Sequence, residues 1–292
     1  MNGLILLDKP EGFTSFKAAA VLRRIYGTKR VGHTGTLDPM ATGVLPIMIG
    51  RATRLCSLVL ESDKRYTATV RLGITTDSLD ITGEVLSESE VNVSNEQLNE
   101  ALAHFQGEYD QIPPMFSAIK KDGVRLYDLA RQGKEVERTP RRIKIHEINL
   151  LERNGNEFKI DVLCSKGTYI RSLADDLGKF LGCGACLTAL RRTKTAQFNI
   201  SQCVTLEQIE GDPEKYLMSP ELAVDYLREV ELTEGQAKRF KNGAELSKDR
   251  VKICDKPADG ELFRAKFDGQ FLGLIEYFEQ EMVFKTKCVI VE

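Results

Sequence analysis

Residues 32–43 read Gly-His-Thr-Gly-Thr-Leu-Asp-Pro-Met-Ala-Thr-Gly, three glycines and a proline around one histidine and one carboxylate. Glycines at 32, 35 and 43 permit positive φ and close backbone approach, and Pro39 biases Asp38 toward an extended backbone. A chain bent this way holds the Asp38 carboxylate out toward a ligand; the plainer reading is an Asp-Pro turn between two elements. His33 is either a general base or a polar group tucked against its own loop. Arg171, closing the segment Lys166-Gly-Thr-Tyr-Ile-Arg171 at what reads as a strand end, is able to grip a buried carboxylate through two parallel hydrogen bonds. Tyr66 and Tyr169 add aromatic faces on apparent strands, where aromatic residues commonly face a core. One Asp, one Arg and aromatic faces make a site without metal or cofactor.

Competing chemistries find less support. Cys183-Gly-Ala-Cys186 has a spacing that serves zinc or redox chemistry, but no second such pair completes a tetrahedral set, and His33, His104 and His146 are scattered. It reads as a helix-to-strand turn. The glycine-rich loop lacks both the P-loop and the dinucleotide-binding spacing.

The elements that must position these residues are visible in the pattern. Gly3 to Leu7 reads as a short buried strand, and Ser15 as the N-cap of a helix reaching Tyr26 and ending at Gly27. Val44 to Ile49 is a dense apolar run, and Tyr66, Ala68, Val70 and Leu72 alternate with polar residues as on a half-buried strand. Ser94 and Gln97 form a capping box for a helix to about Phe105. Asn154-Gly-Asn156 marks a hairpin between Ile143–Leu151 and Glu157–Cys164, and Ser172–Leu181 carries an apolar stripe at helical spacing. Beyond Pro220, a charged helical stretch leads into strands predicted at 251–254, 262–267, 271–276 and 287–291. This small β unit is near the lower size limit for independent stability, so it is expected to pack on the larger body.

The 292 residues carry a formal net charge of −2, with a pI near 6.1 that, spread evenly, argues against a nucleic-acid partner. The charge is segregated. No Lys or Arg lies between Leu72 and Ile119, whereas residues 120–144 hold nine, and further basic residues flank the glycine-rich loop. Such concentrations bind phosphates even on a slightly acidic molecule, although a solvated face is the plainer reading of any single run. The seven cysteines at irregular positions suggest a reducing compartment, the cytoplasm, and no secretory or membrane-spanning stretch is evident.

Six segments in order carry a resemblance: residues 7–15 (LDKPEGFTS), 32–45 (GHTGTLDPMATGVL), 63–66 (DKRY), 111–118 (QIPPMFSA), 166–172 (KGTYIRS) and 190–192 (LRR). Together they resemble the TruB family of tRNA pseudouridine synthases. The resemblance implies an α+β fold: a catalytic domain over 1–227 with a mixed, mainly antiparallel sheet flanked by helices, and a PUA-like β domain over 228–292. It implies isomerisation of uridine 55 in the tRNA T loop without a cofactor, by a chain that works as a monomer with no obligatory protein partner and no membrane. Asp38 matches the essential carboxylate, Arg171 its partner, Tyr66 the ring stacked on the target base, and Tyr169 and Leu190 the uracil pocket. His33 matches the residue supporting the flipped nucleotide, and the basic excursion at 120–144 matches an RNA-gripping thumb. Arg54, Lys64, Arg141 and Arg142 are the candidate RNA contacts. The alternative is a tRNA-binding, folding-assisting protein in which catalysis is secondary.

Overall fold

The structure, a computed structural model, describes residues 1–291. Gly3–Lys9 (β1) is apolar at consecutive positions because its alternate side chains enter two different cores. Ile5 and Leu7 join the core beneath the helices, while Leu4 and Leu6 join a second cluster on the opposite face. The strand runs antiparallel to Thr42–Ile49 (β3), with Gly3 opposite Ile49 and Lys9 opposite Gly43. Val31–His33 (β2) also pairs with β3, so the glycine-rich loop is the connection between two neighbouring strands.

Lys64–Leu72 (β4), Gly107–Gln111 (β5), Arg141–Asn154 (β6), Glu157–Cys164 (β7), Ala185–Thr195 (β8) and Phe198–Asn199 (β9) complete the sheet. Its nine strands run in the order β1-β3-β8-β4-β7-β6-β5, with β2 on β3 and β9 on β8. Every pairing is antiparallel except β3 with β8, where Arg191 and Arg192 meet Thr42 and Gly43. This is the mixed, mainly antiparallel sheet, flanked by helices, that the resemblance implies.

Helices Ser15–Ile25 (α1), Asn95–Phe105 (α2) and Ile170–Phe180 (α3) bury apolar stripes against it. The Ser94–Gln97 capping box is present in full. Two helix starts differ from the sequence reading. Thr14 rather than Ser15 caps α1, accepting from the Lys17 N–H at 3.0 Å, which leaves the Ser15 hydroxyl for the glycine-rich loop. Helix α3 begins at Ile170, so Tyr169 is its N-cap and Arg171 lies in its first turn instead of at a strand end.

Toward the C-terminus, Glu229–Glu231 (β10), helix Glu234–Lys241 (α4), Leu246–Ser247 (β11), Leu262–Phe267 (β12), Gln270–Phe278 (β13) and Val283–Val289 (β14) form a five-stranded sheet of order β10-β12-β13-β14-β11. Residues 251–254 are not a strand but irregular chain following a short 3₁₀ turn at Lys248–Arg250, and β10 supplies the sheet edge through parallel pairing with β12. The unit packs as its size demands. Phe271, Leu274, Cys288 and Ile290 enter one cluster with Leu4, Leu6, Val44 and Met48, and Arg51 and Arg54 donate to the carbonyls of Val291 and Val289 at 2.6 and 2.9 Å.

The parallel β3–β8 contact depends on a glycine. Gly43 has φ +103°, and a Cβ there would sit 2.2 Å from the Arg192 carbonyl oxygen. Gly43→Ala is therefore expected to cost about 2–4 kcal/mol through strain and strand displacement, measurable by denaturant unfolding.

Candidate active site

The loop between β2 and β3 is held from below. Ser15 Oγ accepts the Leu37 N–H at 2.9 Å and contacts the Leu37 carbonyl at 3.2 Å, and the Pro39 carbonyl accepts the Gly12 N–H at 2.8 Å. Lys9, fully buried on β1, donates to the carbonyls of Pro10 and Phe13 at 2.8 and 2.6 Å and reaches that of Pro39 at 3.5 Å. Burial pulls its ammonium pKa down to about 8, against the attraction of Asp38. The loop tip is thus fixed, and Asp38 projects from it.

Arg171 meets Asp38 with two nitrogens. Its Nε lies 2.9 Å from Oδ2, and Nη2 donates to Oδ1 at 3.2 Å. The Arg171 side chain is 5% exposed and that of Asp38 33%, so Asp38 is partly accessible while its partner is enclosed. The two Nη groups have further partners, Nη2 donating to the Phe116 carbonyl at 2.8 Å and Nη1 to the Ser78 carbonyl at 3.0 Å with Asp80 Oδ2 at 3.5 Å, whereas the buried Nε faces Asp38 as an ion pair without a directed hydrogen bond. Asp80 is itself buried and held by Ser78 Oγ at 3.0 Å and the Thr82 N–H at 3.0 Å. The intervening Leu79 adopts φ +63°, a left-handed conformation costly for a branched side chain.

The electrostatics follow from this enclosure. Burial raises the Asp38 pKa above the ordinary carboxylate range; Arg171 opposes the rise and Asp80 adds to it. Tyr66, buried on β4 opposite Arg192 of β8, has its hydroxyl pKa raised by burial, so it stays protonated at neutral pH. Burial and Arg192 lower the His33 pKa, which keeps the imidazole neutral, and its buried Nδ1 has no hydrogen-bond partner among the described residues. Arg192 is only 1% exposed and lies beneath the loop, donating to the Val44 carbonyl at 2.7 Å.

The other sequence candidates fall at several distances from this centre. Tyr169, half-buried, shares the first turn of α3 with Arg171, and Leu190 lies inward on β8 opposite Ala68. Arg141 and Arg142 open β6 on the surface, and Arg142 pairs with Glu108 and Asp110 of β5 at 3.4 and 3.5 Å. Arg54 is exposed. Lys64 corrects an expectation: it is buried, its ammonium is spent on the carbonyls of Leu60 and Ser62, and burial lowers its pKa to about 8. The alternation that turns Tyr66 inward turns Lys64 inward as well, so this side chain is not presented to a surface ligand.

Asp80, Lys9 and Arg192 were not singled out from sequence. Lys9 and Arg192 showed only as charged residues at positions the strand pattern buries, and Asp80, at the end of a turn, carried no such signal. An open groove of about 500 Å³ lined by Phe16, Arg23, Lys29, Arg30, His33 and Cys56 contains none of Asp38, Tyr66 or Arg171, so concavity alone does not find the centre. Cys183 and Cys186 are buried where α3 turns into β8, and no group of metal-ligating side chains occurs among the described residues.

A profile described as TruB family pseudouridylate synthase (N terminal domain) matches residues 23–170, and one described as tRNA pseudouridylate synthase B C-terminal domain matches 171–230. The chain belongs to the TruB family. TruB relatives include the tRNA pseudouridine synthase B of Azoarcus sp. (strain BH72), 45% identical over 95% of this chain and 91% of the relative. The protein of the same name from Clostridium perfringens is 40% identical over the whole of both chains. Among solved structures, a chain of a Cbf5-Nop10-Gar1 complex superposes with a TM-score of 0.74 at 28% identity, covering 99% of this chain and 84% of that one. A chain of an H/ACA RNP bound to a substrate RNA containing 2'-deoxyuridine gives 0.73 at 26% identity, with the same coverage. As a TruB member the protein is an enzyme, a pseudouridine-forming isomerase.

A reaction that needs the ionised Asp38 must fail on acidification, and the raised pKa moves that failure to higher pH than an unperturbed Asp would give. Removing the opposing charge in Arg171→Gln should shift the acid limb of the rate profile further up and slow the reaction about 100-fold or more. Single-turnover rates between pH 5 and 8 test both expectations.

Proposed function

We propose that this enzyme isomerises the uridine at position 55 in the T loop of tRNA to pseudouridine, with Asp38 acting at the glycosidic bond of a nucleotide flipped out of its stack. The observation that carries the reading is the Asp38 carboxylate, partly accessible and gripped by an enclosed Arg171. The tRNA substrate is supported by the names of relatives that match over nearly the full chain.

The chemistry suits the side chains. Uridine and pseudouridine contain the same atoms: the N1–C1′ bond breaks, the uracil turns, a C5–C1′ bond forms, and the C5 proton is lost as N1 gains one. No electron or group enters, so no cofactor is consumed. A carboxylate on the sugar side promotes departure of the base, and Arg171 keeps that carboxylate aimed. Neutral Tyr66 offers a ring for the base, with its hydroxyl retaining its proton. Tyr169 and Leu190 would form the remaining walls.

Reaching the bond requires unstacking, at about a few kcal/mol. Stacking on Tyr66 returns about 1–3 kcal/mol, and His33, neutral and partly exposed at the loop's start, would support the vacated position. The basic excursion at 120–144 supplies grip. Arg125 and Arg131 lie over the Tyr127 ring at 5.7 and 5.6 Å, and its root is tied to the centre because the Phe116 carbonyl accepts from Arg171. Arg54, Arg141 and Arg142 would meet backbone phosphates. The enzyme would act as a monomer in the cytoplasm.

Asp38→Asn should abolish pseudouridine at position 55 of unmodified tRNA, mapped chemically with no added cofactor, while binding stays within about threefold of wild type. Full product formation by this variant would overturn the reading. Replacing both Arg141 and Arg142 by Ala should weaken tRNA binding and reduce the slope of log affinity against log salt by about 1–2; filter binding between 50 and 300 mM salt checks it.

A further inference from the structure

The end of β5 is sewn to the first turn of α3. Gln111, 2% exposed and the last residue of β5, uses its side-chain amide as a strand neighbour would use a peptide. Its Oε1 accepts the Tyr169 N–H at 2.8 Å, and its Nε2 donates to the Tyr169 carbonyl at 3.1 Å. The same Nε2 donates to Tyr109 Oη at 2.8 Å, and that hydroxyl donates to Asp176 Oδ2 at 3.3 Å, about two turns beyond Tyr169 along α3. The amide orientation is therefore fixed by its partners: the carboxylate accepts only, the tyrosine must give it a proton, and the amide NH₂ must face the tyrosine. Beside it, Ser172 Oγ donates to the Ile112 carbonyl at 2.9 Å.

This clamp falls where α3 has no cap of its own. Tyr169 is the N-cap residue and its side chain makes no capping bond. An uncapped first turn frays readily, yet this one carries Tyr169 and, two residues on, Arg171. The helix itself supplies only the Leu173 N–H to the Tyr169 carbonyl at 3.1 Å; among the described residues Gln111 alone bonds both the N–H and the carbonyl of Tyr169.

We propose that Gln111 is a positioning residue for the isomerase, acting through the Tyr169 peptide to fix the Tyr169 ring and the Arg171 guanidinium relative to Asp38. The inference rests on the proposed function, since it takes Tyr169 and Arg171 as parts of the centre. Gln111 touches neither the reacting atoms nor Asp38. Its effect is on the chemical step: a first turn displaced by about 1 Å misaims Arg171, and such displacements cost up to about 100-fold in rate. Of the residues proposed to grip tRNA, Arg141 faces Gln111 across the β5–β6 ladder, a main-chain pairing that a change of the Gln111 side chain leaves in place.

The test compares wild type with Gln111→Leu, which keeps the volume and removes both amide functions. Single-turnover pseudouridine formation with excess enzyme reads the chemical step, and filter binding reads tRNA affinity. The expected result is a rate lower by about 10- to 100-fold with affinity within about threefold. A rate within twofold of wild type overturns the inference, as does a rate loss matched by an equal loss of affinity. If Gln111→Leu does not fold, Tyr109→Phe removes only the hydroxyl that orients the amide, and should slow the same step about two- to fivefold with unchanged affinity; an unchanged rate overturns the inference. The wild-type reaction separates the two levels. No product from wild type overturns the functional reading, whereas product formed equally by wild type and the variant overturns the role of Gln111 alone.

Discussion

The enclosure of a guanidinium that must hold a half-open carboxylate governs much of this structure. Arg171 cannot be left without partners at 5% exposure, because an uncompensated buried charge costs about 3–5 kcal/mol. The fold therefore surrounds it with Asp38, Asp80 and the carbonyls of Ser78 and Phe116, drawn from three separate segments of chain. Each segment has its own fastening: the Asp38 loop is tied by Ser15 and Lys9, the Asp80 turn by Ser78 and Thr82, and the Phe116 segment by the root of the basic excursion. The long loops of the protein are ordered around one cation.

Strand order supplies the rest of the geometry. The single parallel pairing in the large sheet sets the β3 end of the glycine-rich loop beside Arg192, and antiparallel pairing of β8 with β4 sets Arg192 opposite Tyr66. A residue from β2, one from the following loop and one from β4 thereby converge although they are far apart in sequence. Helix α3 closes the arrangement from the other side of the sheet order, by way of its first turn.

Much of this was legible in the chain. The alternation at 65–72, the Ser94–Gln97 box and the Asn-Gly hairpin are local signals, and each was realised locally. Asp38 was conspicuous because glycine and proline fix its backbone whatever the surroundings. What escaped depended on tertiary context. Lys64 looked like a surface cation because Lys usually is one, and only its register on β4 shows that its ammonium ends among carbonyls. Ser15 looked like a cap because a hydroxyl beside a helix start usually is; a second hydroxyl at Thr14 freed it for Leu37. Asp80 and Gln111 gave no local signal at all, since their meaning lies in Arg171 and Tyr169, 91 and 58 positions away. The short strand β10 was missed because three residues flanked by charges carry no readable period.

The first strand of the chain has a neighbour made almost last. Leu4 and Leu7 of β1 bridge to Met218 and Val204, the Asn2 side chain donates to the Ile290 carbonyl at 2.8 Å, and Leu4 and Leu6 pack with Phe271 and Ile290. During synthesis Val44 and Met48 cover part of this face early, but its contacts with Phe271 and Ile290 wait until some 280 further residues have emerged. At about 5–20 residues per second that is a wait of tens of seconds. That face of β1 is therefore finished only when the C-terminal sheet docks, and until then a nascent chain needs shielding along Leu4 and Leu6.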